Sequence, residues 1–450
     1  MKANAVILAA GLGTRMKSSK PKVLHELGGK PLISWSVEAC TQALESAPTI
    51  VVAPQAAGVR EAAGEECQFV VQEERLGTGH AVLQARPSLL NEGAIVLVAN
   101  ADLPFISSDT LRSLAVHQES NPGPLTLLVA ESEDARGFGR IKRDETGRVV
   151  AIVEQAHATE EELKIKELNV GVYAFDAEWL WSNLDDLPLS PKGEYYLTDL
   201  ISIAASQEAQ IDSVLISDLD EIIGINTRVH LAEAERILRE RINRHWMEAG
   251  VTMVDPATTY IGPDAALGQD TVLFPNTHLI GDVQVGTDCK LGPNTTIRDS
   301  SIGNQCAIEA SVVEGAVLDD QVEIGPFGHL RKGAYLGRGV HMGNYGEVKN
   351  SRLEAGVKLG HFSYIGDAHI GENVNIGAGT ITCNFDGKQK QKTEIGADAF
   401  IGSDTMLVAP VKIGKGARTG AGSVVTKDVP DYGLAVGIPA RVIRKLDNRD

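Results

Sequence analysis

The 450-residue chain is poor in cysteine, aromatic side chains and positive charge, and it has no long apolar run. Its five cysteines (Cys40, Cys67, Cys289, Cys306 and Cys383) are far apart, odd in number and never spaced C-x-x-C. That excludes a disulfide framework and a thiolate zinc site, and it fits a reducing compartment. Lys and Arg number 42 against 60 Asp and Glu, a formal charge of −18. Nucleic acid and an anionic membrane both demand a basic footprint, so neither is the expected partner. No segment approaches the ~18 apolar residues of a membrane span. The opening AVILAAGLG is short, is followed at once by Arg15, Lys17, Lys20 and Lys22, and lacks an A-x-A cleavage pattern. It reads as a buried strand and its loop rather than a secretory leader. These absences predict a soluble cytoplasmic protein. Aromatics make up 5% while Gly counts 46, which points to many short turns.

What is present divides into unlike regions. Residues 1–227 alternate short apolar runs (Ala5–Leu8, Thr49–Val52, Gln68–Val71, Ile95–Ala99, Leu125–Val129) with helix-length amphipathic segments. Continuously apolar runs suit strands buried on both faces, so this region predicts an α/β Rossmann-like domain with a mostly parallel sheet. Residues 228–250 predict one amphipathic linker helix, with apolar residues at Leu231, Ala234, Leu238, Ile242 and Ala249 and a stop at Gly250. Residues 251–450 change character. Aliphatic residues recur every six positions at Ile261, Leu267, Leu273, Leu279, Val285, Leu291 and Ile297. After a slip the run resumes at Val312, Leu318, Ile324, Leu330, Leu336, Met342 and Val348, with later runs at Leu353, Leu359, Ile365 and at Ile395, Ile401, Leu407, Ile413. A period of six fits neither a helix nor an ordinary strand; it fits a β-helix in which each side chain stacks on the residue ~18 positions away. Gly often follows the aliphatic residue, as in Val285-Gly286 and Ile401-Gly402, where positive φ at a corner would favour it. The segment TCNFDGKQKQKTE, 382–394, breaks the pattern and reads as an extruded loop, with its lysines solvated.

Leu8-Ala9-Ala10-Gly11-Leu-Gly-Thr-Arg15-Met leaves the first strand, and Lys22 follows. A glycine loop lets backbone N–H groups approach phosphate oxygens, and Arg15 and Lys22 supply countercharge. The string resembles the signature of sugar-1-phosphate nucleotidylyltransferases. That resemblance implies that Gln72 reads a pyrimidine edge, that Gly77 and Thr78 lie near base and phosphate, and that Asp102 and Asn226 hold Mg²⁺. Asp102 follows the Ile95–Ala99 run, and the carboxyl end of a parallel strand is where α/β sheets bind ligands. Mg²⁺ takes one or two protein oxygens plus substrate phosphates. The resemblance places Gly139, Glu154 and Asn169 on the sugar, with GEYYLTD (193–199) nearby. Ala101 stands where the family usually has Gly, which predicts a small shift of the nucleotide.

An amine attacking a thioester needs a base, and histidine titrates in a suitable range. The candidate is His361 in LGHFSYIG, with Arg331, Lys349 and Tyr364 on nearby coils able to hold a sugar phosphate beside it. With LAAGLGTRM, QEERLGTGHA, GEYYLTD and NIGAGTITCNFDG, nearly the whole chain resembles the bifunctional bacterial N-acetylglucosamine-1-phosphate uridylyltransferase/glucosamine-1-phosphate N-acetyltransferases. That family implies a left-handed parallel β-helix of hexapeptide repeats, a homotrimer, UTP and acetyl-coenzyme A as co-substrates, and a product used for peptidoglycan and lipopolysaccharide precursors. It implies Asn375 as a further contact to glucosamine-1-phosphate, and Ala378, Asn384, Phe385, Ser403 and Ala421 as contacts to acetyl-coenzyme A. Phe385 replaces a Tyr of some relatives, and Arg441 does not align with their tail arginine. Two competing readings share the folds: a nucleotidylyltransferase for ADP-glucose or dTDP-glucose with a regulatory β-helix, and a scaffold subunit like those of translation-factor exchange. The cluster Arg331, Lys349, His361 and Tyr364 disfavours the first. The retained Gly11, Arg15, Lys22 and Asp102 disfavour the second.

Overall fold

The computed structural model describes residues 2–54, 56–90 and 92–446. It falls into two compact units, 1–237 and 238–450, and the division lies inside the helix Arg228–Glu248.

The first unit is built on one mixed sheet. Its strands in chain order are β1 Ala3–Leu8, β2 Thr49–Val52, β3 Gln68–Val71, β4 Ile95–Asn100, β5 Leu125–Glu131, β6 Gly139–Arg143, β7 Val149–Val153, β8 Glu167–Asp176 and β9 Ile211–Leu215. The spatial order is β9-β5-β8-β4-β1-β2-β3, with the β6–β7 ribbon joined to β8. Strands β1 to β4 pair in parallel, and β9 pairs in parallel with β5. The exception is β8, which runs antiparallel between β4 and β5. Apolar residues of β1, β2 and β4 alternate between two buried clusters, one on each face of the sheet: Ile7, Ile50 and Leu97 on one, Val6, Val51 and Val98 on the other. Burial on both faces is why these strands read as unbroken apolar runs. The chain crosses from β1 to β2 on one side and returns to β4 on the other. The carboxyl ends of β1 and β4 therefore flank a topological switch point, where such sheets bind ligands.

The second unit is a parallel β-helix. Among the described residues it has three sheets of 12, 10 and 9 strands, visited in turn as faces I, II and III. Leu273, Leu291, Ile308, Ile324, Met342, Leu359, Ile376 and Ile401 form one inward ladder on face I. Each rung buries an aliphatic side chain, worth ~1.5–3 kcal/mol apiece against exposure. Corner carbonyls inside the coil are taken by buried threonines: Thr405 Oγ1 donates to Gly402 O at 2.6 Å and Thr380 Oγ1 to Gly377 O at 2.7 Å.

Three sequence expectations change here. Val312 is exposed, and its neighbour Val313 is the inward residue, paired with Ile297 and Leu330. Ile302 and Ile308 continue the ladder through the supposed gap, because several faces are five residues long rather than six. A coil is thus 16 residues from Ile308 to Ile324 and 18 from Ile324 to Met342. Most glycines after the aliphatic residues are required by close approach rather than by positive φ; Gly292 (99°) and Gly325 (118°) combine the two, and Gly360 shows neither. A Cβ on Gly402 would stand 2.5 Å from Thr419 O, and one on Gly286 would stand 2.7 Å from Gly303 C. Positive φ falls two residues later, on Asp288 (58°) and Asp404 (57°). Aspartate tolerates that conformation, and it leaves glycine for the position where the next coil touches.

Candidate functional site

The glycine loop leaves β1 without entering an α-helix. A single 3-10 turn, Thr14–Met16, is anchored by buried Met16, and a second turn, Lys22–Leu24, follows. The loop is pinned by Ala9 N–H donating to Val51 O (2.9 Å) and Arg75 Nε donating to Ala10 O (3.2 Å). Gly13 (φ 60°) packs so closely on Lys22 that a Cβ would lie 2.5 Å from Lys22 Cβ. Gly11 is different: a Cβ there would meet nothing within 4 Å, so only the cavity occupies that space.

That cavity measures about 740 Å³ and is lined by Leu8, Ala9, Ala10, Gly11, Arg15, Lys22, Gln72, Gly77, Thr78, Asp102, Glu154 and Asn226, among others. On one wall the Lys22 ammonium donates to Asp102 Oδ2 at 2.6 Å and to Asn226 Oδ1 at 3.1 Å, and Arg15 donates to the same Asn226 oxygen at 2.9 Å. Asn226 reaches Asp102 because Ile225 N–H donates to Asp102 O at 2.8 Å. Buried Glu221 holds the preceding turn, accepting from Ser107 N–H at 3.0 Å and Thr110 Oγ1 at 3.1 Å. A carboxylate and an amide oxygen converging on one cation are hard donors, as a Mg²⁺ ion requires. Among the described residues no cluster of three His, Cys, Asp or Glu side chains forms.

The base-side candidates are held by the GEYYLTD stretch. Gly77 (φ 101°) leaves 2.5 Å between a would-be Cβ and Tyr195 O, and Thr78 Oγ1 accepts Leu197 N–H at 2.9 Å. Buried Gln72 donates to Gly77 O at 3.0 Å and lies 3.1 Å from His80 Nδ1. A second cavity of about 360 Å³ is lined by Gly139, Glu154 and Asn169 and shares Thr78, Asn100, Glu154 and Tyr196 with the first. Asn169 is engaged with the protein, exchanging hydrogen bonds with Tyr173 Oη at 2.8 and 3.0 Å. Burial, with Asp199 adding to it, pushes the Glu154 carboxyl above the usual range. Ala101 lies buried in the core and lines neither cavity. Two residues escaped the sequence reading. Asn100 lines both cavities and donates to Gly171 O at 3.0 Å; its signal was a polar residue closing the apolar run IVLVAN. Arg75, which pins the glycine loop, lay unremarked within QEERLGTG.

In the second unit the candidates sort onto two edges of face II. His361, Ala378, Ser403 and Ala421 occupy equivalent turn positions at the corner between faces I and II. The turns stack through Gly379 N–H to Phe362 O (2.7 Å), Asp404 N–H to Ala378 O (2.6 Å) and Gly422 N–H to Ser403 O (2.8 Å). His361 is exposed there, and its imidazole has no hydrogen-bond partner among the described residues. Arg331, Lys349, Tyr364 and Asn384 lie toward the opposite edge, between faces II and III. Arg331 donates to Glu347 at 2.9 Å, which raises the guanidinium pKa. A face of four strand residues is about 13 Å wide, and the backbones of His361 and of Arg331 and Lys349 stand toward its two edges. Asn375 lies on face I between Lys358 and Phe400. The extruded loop closes on itself through the Phe385–Lys390 bridge, with Lys390 Nζ 5.2 Å from the exposed Phe385 ring. Arg441 pairs with Val436 in a terminal hairpin.

Residues 5–216 match the MobA-like NTP transferase domain, and residues 392–427 match the bacterial transferase hexapeptide (six repeats). Three relatives bear the name Bifunctional protein GlmU. That of Exiguobacterium sibiricum is 47% identical over 96% of both chains. That of Heliobacterium modesticaldum is 45% identical over 97% of this chain and 95% of its own. That of Caldanaerobacter subterraneus subsp. tengcongensis is 46% identical over 96% and 94%. The chain belongs to the bifunctional GlmU family. Membership of this family makes it a transferase with two enzymatic units acting on small molecules, one a nucleotidyltransferase and the other a hexapeptide-repeat acyltransferase. Among the described residues no helix is long and apolar enough to cross a membrane.

Proposed function

We propose that the second unit acetylates glucosamine-1-phosphate from acetyl-coenzyme A, and that the first unit joins the resulting N-acetylglucosamine-1-phosphate to UTP, making UDP-N-acetylglucosamine. The observation that carries this reading is the meeting of Arg15, Lys22, Asp102 and Asn226 on the wall of a cavity whose floor is the bare backbone at Gly11.

In the uridylyl step an oxygen of the sugar phosphate attacks the α-phosphorus of UTP. A P–O bond forms as the α–β anhydride opens, and pyrophosphate leaves. The nucleophile is already an anion near neutral pH, so the pocket needs no base; positioning and charge neutralisation do the work. Backbone N–H groups of the glycine loop beyond Ala9 and the cations of Arg15 and Lys22 hold the polyphosphate. Gln72, Gly77 and Thr78 hold the uridine side, and Gly139, Glu154 and Asn169 the sugar. Asp102 and Asn226 would hold Mg²⁺, which supplies further neutralisation of the phosphate oxygens.

In the acetyl step the substrate ammonium must first lose a proton, and His361 accepts it. The amine nitrogen then bonds to the thioester carbonyl carbon and gives up a second proton as the C–S bond breaks, and the departing sulfur takes up a proton, so coenzyme A leaves as its thiol. Ala378, Ser403 and Ala421 at one edge, and Asn384 and Phe385 of the loop at the other, receive the acyl donor. Arg331, Lys349, Tyr364 and Asn375 receive the aminosugar phosphate. A single prism keeps His361 and Arg331 at opposite edges, so a complete pocket needs residues from neighbouring copies. This supports a homotrimer with acetyl sites between protomers. The free cysteines fit the cytoplasm as its location.

The test is to incubate the purified chain with UTP, glucosamine-1-phosphate, acetyl-coenzyme A and Mg²⁺. Formation of UDP-N-acetylglucosamine and pyrophosphate, with a trimeric mass by light scattering, is expected. Absence of the nucleotide sugar would sink the reading.

A further inference from the structure

We propose that Asp367 is a positioning residue for the acetyl site: its carboxylate fixes the Asn384 amide with nitrogen turned inward and carbonyl oxygen turned out, as acceptor for a substrate N–H. The inference rests on the reading of Asn384 given above and adds what that side chain can recognise.

Asn384 sits buried at the neck of the extruded loop, its backbone held by Thr382 O (2.9 Å) and Gln391 N–H (2.7 Å). Its Nδ2 lies 2.5 Å from Asp367 Oδ2 and 3.5 Å from Tyr364 Oη. A carboxylate only accepts hydrogen bonds, so the amide atom facing it must be nitrogen, and the two-fold ambiguity of an asparagine is resolved by chemistry. Both N–H bonds are then spent. The amide oxygen has no hydrogen-bond partner among the described residues and is not fully enclosed, although the residue as a whole is buried, which leaves that oxygen for a ligand. Asp367 cannot easily turn away. Its other oxygen takes Asn350 Nδ2 at 2.6 Å, its backbone is left-handed (φ 51°), and its carbonyl accepts Thr393 N–H at 3.2 Å. The contact has room because residue 366 is glycine: a Cβ there would stand 2.4 Å from Tyr364 Oη and 2.6 Å from Asn384 Nδ2. Without the carboxylate the amide is free to rotate and present a donor where the site needs an acceptor.

The N–H so received belongs either to the aminosugar or to an amide of the pantetheine arm, and steady-state kinetics of acetyl transfer separate them. Asp367→Ala is expected to lower kcat/KM about tenfold, the scale of one oriented hydrogen bond. The rise in KM falls on glucosamine-1-phosphate in the first case and on acetyl-coenzyme A in the second. Asp367→Asn, which keeps size and the Asn350 contact, should give a smaller loss. The double variant Asp367→Ala/Asn384→Ala should be no slower than Asn384→Ala alone, and uridylyl transfer and melting temperature should hold in all of them. Additive losses would overturn the proposal. So would an equal loss in Asn350→Ala, which would mean that Asp367 only braces the corner. If Asn384→Ala itself leaves acetyl transfer intact, the assignment of Asn384 falls and the proposal with it; a slow Asn384→Ala beside a normal Asp367→Ala sinks the positioning role alone.

Discussion

The two units assemble their sites in opposite ways. The first gathers residues from distant stretches: Lys22 from a 3-10 turn, Asp102 from just past the carboxyl end of β4, and Asn226 from the loop before the helix Arg228–Glu248. The second sets its candidates at equivalent positions of a repeat, so that His361, Ala378, Ser403 and Ala421 are neighbours because the coil returns to the same corner. In the first unit the fold leaves room for a ligand by omission, as at Gly11. In the second, most glycines that follow an inward aliphatic residue are consumed by packing, as at Gly402, whereas Gly360, beside His361, faces open space.

The largest effect that would break this contrast is on the metal wall. Asp102→Ala is expected to lower uridylyl transfer by at least ~10³-fold, on the scale of lost charge stabilisation, while acetyl transfer measured on the same preparation is unchanged. Loss of both activities in a folded protein would mean that the sites are not separate. Next comes His361→Ala, expected to slow acetyl transfer by ~10²–10⁴-fold with uridylyl transfer near wild type; parallel assays of the two half-reactions decide it. The glycines sharpen the comparison. Gly402→Ala forces a Cβ onto the next coil and should destabilise by ~1–3 kcal/mol in denaturant titration. Gly11→Ala should leave the melting curve alone and weaken UTP binding by calorimetry. The reverse pattern would undo the distinction between space kept for a ligand and space used for packing.

The smallest effect concerns Glu154. Burial raises its carboxyl pKa in the folded state, so the native protein holds the proton more tightly than the unfolded chain does. Stability contributed by this group then falls as pH rises from the ordinary glutamate range through the raised value. Glu154→Gln is expected to remove that dependence and raise the melting temperature at neutral pH, at a cost in sugar affinity. A melting curve that tracks wild type from acid to neutral pH would contradict it.

Much of this was legible beforehand because it is periodic or punctuated. The apolar runs from Ala5 to Val129 announce strands covered on both faces, and the aliphatic repeat announces coils. The strand β8 escaped notice because Gly171 (φ 80°) and a register shift between Asn169 and Tyr173 break its pattern. A period of six points to Val312 and the structure selects Val313, because either valine satisfies a hydrophobicity pattern whereas a five-residue face admits only the second. The separation of His361 from Arg331 was hidden for another reason. Spacing along the chain counts coils, but not which edge of a face a turn residue occupies.

One face lengthens without disturbing the rest. From Ile376 to Ile401 the coil takes 25 residues, yet Ile370 still meets Ile395 and Thr382 still meets Leu407. The surplus leaves and rejoins at adjoining rungs, so the stack below and the stack above stay in phase. The prism behaves as a ruler whose marks are the corners: an extruded segment can be hung from one of them, and a face can drop a residue, as between Ile297 and Ile302, while the later aliphatic side chains still point inward.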